Sequence, residues 1–194
     1  MPLIRCTRKL LTEIGAQVAS SAELAQPALL GDWFANLIRI ERRKCVIFTS
    51  ERTLLTFLVV GPGRAAIRDY ATLFRSGLRR LLENEGFAAI DIDRVVGQYQ
   101  QVNLAPTNDR SVLGSLNDMA RIAVGQIAYL DGLARCDLRA IDHELNITPM
   151  SRLKMESPLA VTRRALEGGD HTSPASGRPA PQRPKRPGRL ATAK

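Results

Sequence analysis

The sequence predicts a single α+β domain, in which an antiparallel sheet of about four to five strands packs against helices. Three apolar runs separated by short charged connections lie between residues 33 and 60, and they indicate a three-strand antiparallel meander. After this meander the apolar residues recur at helical spacing, most clearly over residues 111–130. At 194 residues the chain is long enough to bury one such core.

The first sixty residues are predicted to contain four strands and one helix. Residues 3–7 have the pattern of a short strand, and residues 8–14 have helical spacing. Residues 16–30 are rich in Ala and Ser and are typical of a loose connection. The strands of the meander are predicted at residues 33–40, 45–49 and 54–60. In the last two runs, apolar residues occupy both odd-numbered and even-numbered positions, so apolar side chains lie on both faces of the sheet. Both faces therefore need to be covered, and helices are required on at least one of them.

The rest of the domain is predicted to be mainly helical. The predicted helices span residues 67–85, 91–99, 111–130 and 138–146, and one further strand spans residues 101–106. We expect Asp91 or Asp93 to cap the second of these helices, since a carboxylate accepts hydrogen bonds from the free amides of a first turn. Pro149 follows the last helix, which is therefore expected to end before it.

The net charge of +9 is distributed unevenly along the chain. Residues 169–194 hold six Arg or Lys against one Asp, so this segment carries +5 and the rest of the chain +4. The same segment holds five of the eleven prolines and has almost nothing to bury. We therefore expect a globular domain at residues 1–155, a helical extension at 156–168 and a disordered basic tail at 169–194. The tail is either an arm for nucleic acid or another anionic surface, or a solubilising extension.

Residues 107–119 are the most polar stretch that keeps an apolar rhythm, and they lie where a predicted strand is followed by the long helix. An anion or another ligand is one possible occupant of such a helix start, because its free amides and positive dipole attract negative charge. The candidate ligand-binding residues are Asn108, Asp109, Arg110, Ser111, Asn117 and Arg121. The alternative is structural: Asp109 or its neighbours cap the helix, and the other polar groups bond to nearby loops.

A second candidate site is basic and lies around the first turn of the meander. Its residues are Arg39, Arg42, Arg43 and Lys44, and the tail adds Arg183, Lys185, Arg186 and Arg189 as further candidates for nucleic-acid contact. The alternative is a charged turn that protects the sheet from pairing with another edge.

The sequence offers little evidence for catalysis or for a cofactor. The chain has three cysteines, an odd number, and they are far apart, so we expect no disulfide framework. His143 has no second histidine near it on its helix, so we expect no metal, and we expect no cofactor. The apolar run at residues 54–60 is too short to cross a bilayer, and the N-terminus lacks the apolar core of a signal peptide. We expect a cytoplasmic protein that has no membrane partner.

Several motifs together resemble a known family. They are Arg5-Cys6-Thr7-Arg8-Lys9-Leu10-Leu11, Gly31-Asp32-Trp33, Ala35-Asn36-Leu37, Arg42-Arg43-Lys44, the segment 108–120, Leu145-Asn146 and Thr148-Pro149-Met150. In this order they resemble the bacterial family catalogued as domain of unknown function 6933, over about residues 3–155. The resemblance implies one domain with an appended tail, and it implies no activity or catalytic residue.

Three classes of function remain open at this point. We expect a non-catalytic binding protein that associates with nucleic acid through the basic turn and the tail. An enzyme that acts on a phosphorylated or RNA substrate is the first alternative, with Arg39, Arg110 and Asn117 around the phosphate, although no general base is evident. A module that binds a protein partner through the second face of the sheet is the other alternative.

Truncation after Gly168 tests the expectation for the tail. Because residues 169–194 have almost nothing to bury, we expect the shortened protein to melt at the same temperature as the full chain. Thermal unfolding followed by circular dichroism measures this directly. A fall of several degrees in the melting temperature would show that the tail packs on the domain.

Overall fold

The computed structural model describes residues 2–15 and 28–167, and within these ranges it forms one α+β domain. The tail predicted at residues 169–194, and most of the loose connection predicted at residues 16–30, lie outside the described residues. The strands are β1 (Leu3–Cys6), β2 (Trp33–Ile40), β3 (Arg43–Ser50), β4 (Thr56–Val60) and β5 (Asn103–Pro106). The helices are α1 (Arg8–Ile14), α2 (Arg64–Arg68), α3 (Tyr70–Asn84), α4 (Ala89–Gly97), α5 (Arg110–Tyr129), α6 (Leu138–Ile147) and α7 (Pro158–Glu167).

The five strands form one mixed sheet in the order β4-β3-β2-β1-β5. The predicted meander is confirmed, because β2 pairs with β3 and β3 pairs with β4 in antiparallel fashion. The predicted α+β fold with a sheet of four to five strands is confirmed, but the sheet is mixed and not antiparallel throughout, since β1 lies parallel to both β2 and β5. The reason is the type of connection: antiparallel neighbours can be joined by a short hairpin, whereas β1 is linked to β2 by a long connection that contains α1, which is typical of parallel strands.

Some element boundaries differ from the prediction for local reasons. The third meander strand begins at Thr56 instead of residue 54, because Leu54 adopts a left-handed conformation (φ 55°) in the preceding turn. The helix predicted at residues 67–85 is two helices, and Asp69 caps the second of them by accepting a hydrogen bond from Thr72 N.

The capping prediction for α4 is also wrong. This helix begins at Ala89, so Asp91 and Asp93 lie inside it instead of before it. Their carboxylates pair with arginines, Asp91 with Arg94 and Asp93 with Arg79.

An aromatic cluster forms the core on the first face of the sheet, where α1, α3 and α4 pack. Trp33 packs against three other rings, and its ring centroid lies 5.1 Å from that of Phe74, 5.6 Å from that of Phe57 and 6.3 Å from that of Tyr99. These separations are typical of the edge-on and tilted contacts that aromatic rings prefer. Gly77 is required at its position on α3, because a Cβ there would lie only 2.4 Å from the Phe57 ring.

A second, aliphatic core covers the opposite face of the sheet, beneath α5 and α6. The apolar stripe of α5 includes Val112, Leu116, Met119 and Ile127, all of which are buried. Helices therefore cover both faces of the sheet, as the apolar strands β3 and β4 require. None of the helices in the described ranges is both long and apolar enough to span a membrane.

Side chains of α6 satisfy the outer edge of β4, which is an edge strand. Asn146 Oδ1 accepts a hydrogen bond from Thr56 N at 2.8 Å, and its Nδ2 donates to Thr56 O at 2.7 Å. One helical turn earlier, Asp142 Oδ1 accepts from Leu58 N at 2.9 Å. Arg80 of α3 completes the arrangement by donating to Leu58 O and to Asp142 Oδ2. The backbone of an edge strand is thus bonded by side chains instead of by a further strand.

Substitution of Asn146 tests the strength of this edge contact. In Asn146→Ala the buried N–H and C=O of Thr56 lose their partners, so we expect a loss of about 2–4 kcal/mol in the free energy of unfolding. Asn117→Ala is the matched control: it removes the same side chain from an exposed position of α5 and should leave stability nearly unchanged. Urea unfolding of both variants measures the difference. Equal stabilities would contradict the role given to Asn146.

Candidate functional site

The polar segment at the start of α5 contains an N-cap residue that bonds to the first turn of the helix. Asp109 is the N-cap residue, and its carboxylate accepts hydrogen bonds from Ser111 N at 2.7 Å and Val112 N at 3.2 Å. Arg152 lies 3.5 Å from the other oxygen of the same carboxylate. Asp109 therefore has a structural role that accounts for its position.

The other predicted residues of this stretch are exposed to solvent, either just before α5 or along it. Asn108, Arg110, Ser111, Asn117 and Arg121 are all exposed, and Arg121 pairs with Asp118 of its own helix at 2.7 Å. Gly114 also faces open space, so it makes no close helix contact. Arg110, Gly114, Asn117 and Arg121 share one side of the helix and form an exposed stripe, whereas Asn108 precedes the helix.

The basic turn between β2 and β3 is tight and is anchored to the rest of the domain. Glu41 and Arg42 form the turn and both have positive φ, at 47° and 66°. The carboxylate of Glu41 points back to the loop after α5 and accepts from Leu133 N, which lies 3.2 Å from each oxygen. Gly132 makes room for this contact, because a Cβ there would clash with the carboxylate. The anchoring leaves Arg42 and Arg43 exposed at the tip.

The fold places α1 beside the hairpin that carries this turn. Lys44 contacts Glu13 of α1 at 2.5 Å, and α1 packs against α2. The pKa of the Glu13 carboxyl is lowered, first by its hydrogen bond to Lys44 and further by the positive charges of Arg64 and Arg39. Two of these cations, Arg39 and Lys44, are partners in the β2–β3 hairpin, and the third, Arg64, belongs to α2.

We call the resulting region the basic surface, defined by residues 8–14, 39–44 and 64–68. These segments hold eight Arg or Lys side chains and two Glu, a net charge of +6, whereas residues 1–168 as a whole carry +4. The remainder of the domain is therefore slightly acidic. The tail candidates Arg183, Lys185, Arg186 and Arg189 lie outside the described residues.

A group of titratable side chains that the sequence did not indicate lies around α6, next to its contact with the edge strand β4. Nδ1 of His143 is 3.0 Å from the carboxylate of Glu85, whose side chain is only 3% exposed. Both residues border a polar cleft of about 450 Å³, to which Arg139 and Asp137 also contribute. The signal in the sequence was weak: Asp142 and Asn146, four residues apart, adjoin the apolar stripe of α6 and can therefore be buried.

Buried Asp142 is the most perturbed acid of this group. Burial raises its pKa to about 6, and Glu85 adds to the rise, while Leu58 N–H and Arg80 act in the opposite direction. In the ranges 2–15 and 28–167, no group of three or more His, Cys, Asp or Glu side chains is arranged to hold a metal ion.

A comparison with protein-family models matches residues 3–161 to DUF6933, a domain of unknown function. The chain belongs to this family. The match confirms the resemblance and covers the whole sheet and most of the helices. A search of curated proteins finds no match.

Polar residues in the segments that resemble DUF6933 join neighbouring strands of the sheet. Arg5 pairs with Asp32 at 2.9 Å, and Asp32 also accepts a hydrogen bond from Leu3 N. Thr7 donates to Asn36 of β2 at 2.9 Å. These contacts fix the parallel pairing of β1 with β2, so these family motifs have a structural explanation in this chain.

The pH dependence of stability tests the environment of Asp142. Its pKa in the fold, about 6, lies above the ordinary value of 3.8, so the fold favours the protonated form. Protonated Asp142 therefore contributes to the free energy of unfolding. The contribution is complete below pH 3.8 and is lost as the pH rises through the folded-state pKa of about 6, and it amounts to about 3 kcal/mol. Relative to Asp142→Asn, the wild type should therefore gain stability as the pH falls from about 7 to about 4.

Urea unfolding of both proteins across this pH range measures the effect. The Asn side chain keeps an acceptor for Leu58 N and has no charge to titrate, so groups elsewhere in the protein cancel in the comparison. A stability difference that is constant with pH would show that Asp142 titrates normally.

Proposed function

We propose that this DUF6933 protein binds nucleic acid through the phosphate backbone, with the basic surface as the contact region. The observation that carries the proposal is the basic surface itself, in which Lys44 of the hairpin pairs with Glu13 of α1, and α1 packs against α2. The segments 8–14, 39–44 and 64–68 lie in elements that pack through α1, and they carry a net charge of +6 in a domain whose remainder is slightly acidic. Such an asymmetric distribution of charge attracts polyanions and orients the protein on them.

The anchored turn supports the same conclusion. Glu41 is the one acid within the turn, and its carboxylate is bonded to Leu133 N instead of to the adjacent arginines. Arg42 and Arg43 are therefore available to phosphate oxygens, and the fixed turn reduces the entropy lost on binding. We include the tail residues Arg183, Lys185, Arg186 and Arg189 in the proposal as additional phosphate contacts.

The enzyme alternative needs a different arrangement from the one expected from sequence. Arg110 begins α5, whereas the turn that holds Arg39 contacts the loop after the end of α5. A helix of 20 residues is about 30 Å long, so these two arginines and Asn117 do not surround one phosphate. The cleft beside His143 is the better place for catalysis, because buried Glu85 orients the imidazole there as a carboxylate orients a general base.

The alternative of a protein-interaction module loses its main support. It assumed that a partner covers the second face of the sheet, and α5 and α6 cover that face. As the compartment we propose the bacterial cytoplasm. The support is chemical: Cys6, Cys45 and Cys136 are all free thiols, which a reducing compartment preserves.

Binding of a fluorescein-labelled 20-nucleotide oligonucleotide, followed by fluorescence anisotropy, tests the proposal. We expect a dissociation constant on the order of micromolar at low salt, and a logarithmic dependence on salt of about 0.7–0.9 per phosphate contact. Arg43→Glu should weaken binding at least about ten-fold, since it reverses a charge at the tip of the turn.

Arg164→Glu is the matched control, because it makes the same change of charge at an exposed position of α7, outside the basic surface. It should have a much smaller effect. Equal weakening by both substitutions would show that only the net charge matters, and absence of binding at low salt would refute the proposal.

A further inference from the structure

One aromatic side chain differs from all the others in its exposure. The chain has nine aromatic residues, and all of them lie in the described ranges. Six are fully buried, and Tyr70 and Phe87 are partly buried. Tyr129, the last residue of α5, is 87% exposed. A single exposed aromatic residue is common on protein surfaces, so the position of Tyr129 is what matters.

Tyr129 lies next to the basic turn. Three residues after it the chain reaches Gly132, which contacts the carboxylate of Glu41 in that turn. Three residues of chain span at most about 11 Å, so the backbone of Tyr129 lies within that distance of the contact. The hydrogen bond from Leu133 N to Glu41 fixes the two segments relative to each other.

The charges around Tyr129 favour a polyanion in spite of two nearby acids. Asp131 pairs with Arg135 at 3.1 Å, and the carboxylate of Glu41 is engaged by Leu133 N. The arginines at the tip, Arg42 and Arg43, are exposed. An exposed ring is therefore attached, three residues along the chain, to the loop that contacts the turn with the exposed cations.

This combination matches the chemistry of single-stranded nucleic acid. Its phosphates need cations, and its unpaired bases stack on aromatic rings, whereas the bases of a duplex are already stacked on one another. We propose that Tyr129 is a stacking platform for an unpaired base of a single-stranded nucleic acid whose phosphates contact Arg42 and Arg43. The inference rests on the proposed function and specifies the class of nucleic acid.

Substitution of Tyr129 separates stacking from charge. Tyr129→Ala removes the ring from an exposed position and should not affect folding, and Tyr129→Phe keeps the ring and removes only the hydroxyl. With labelled 20-nucleotide single strands of DNA and RNA, we expect the Ala variant to bind about ten-fold more weakly and the Phe variant to bind like the wild type. The salt dependence should be the same in all three proteins, because no ionic contact is lost.

A 20-base-pair duplex measured under the same conditions completes the experiment. The wild type should prefer the single strand, and Tyr129→Ala should reduce that preference. If Arg43→Glu weakens binding and Tyr129→Ala does not, the stacking inference is overturned while the proposed function stands. If the wild type binds no nucleic acid at low salt, the proposed function fails and the stacking inference fails with it.

Discussion

The hydrogen bonds between α6 and the edge of β4 are the interaction on which the rest of the structure depends. A sheet edge exposes unpaired backbone groups, and this protein satisfies them with the side chains of Asn146, Asp142 and Arg80. The contact fixes α6 over the second core, and α5 packs beside α6 on the same face of the sheet. The contact requires a buried carboxylate, that of Asp142, and its pKa rises to about 6 because burial disfavours the charged form.

The same region of the chain positions the proposed binding surface. The loop between α5 and α6 contacts the turn between β2 and β3 through Leu133 and Glu41. With α5 and α6 held on the sheet, this loop holds the turn through that hydrogen bond, and Tyr129 is the last residue of the helix that precedes the loop. The stability of the β4 edge and the position of Arg42 and Arg43 in the turn are therefore linked through the loop between α5 and α6.

Local patterns explain which features the sequence predicted well. The period of the apolar residues identified the meander and the long helix α5, because each residue's burial there follows from its own position in the strand or helix. The basic turn was visible for the same reason, since Arg39, Arg42, Arg43 and Lys44 are neighbours. The parallel pairing of β1 was missed, because strand direction depends on how the chain returns and not on strand composition.

Contacts between distant residues explain what the sequence did not reveal. Asn146 and Asp142 bond to backbone groups that lie 90 and 84 residues away, and no local pattern indicates such pairs. Similarly, Glu13 joins Lys44 and Arg64 into one surface only after folding. Polar side chains next to an apolar stripe, as in α6, are the one local hint that a buried polar contact exists.

Hydrogen exchange at the outer edge of β4 tests the account most directly. The amides of Thr56 and Leu58 point away from the sheet, and they should exchange as slowly as interior amides because Asn146 and Asp142 accept from them. The amide of Val60 is the internal control: it lies on the same outer edge, and no side chain in the described ranges accepts from it, so it should exchange fast. Fast exchange at Thr56 and Leu58 as well, measured by NMR, would contradict the docking of α6 on which the account rests.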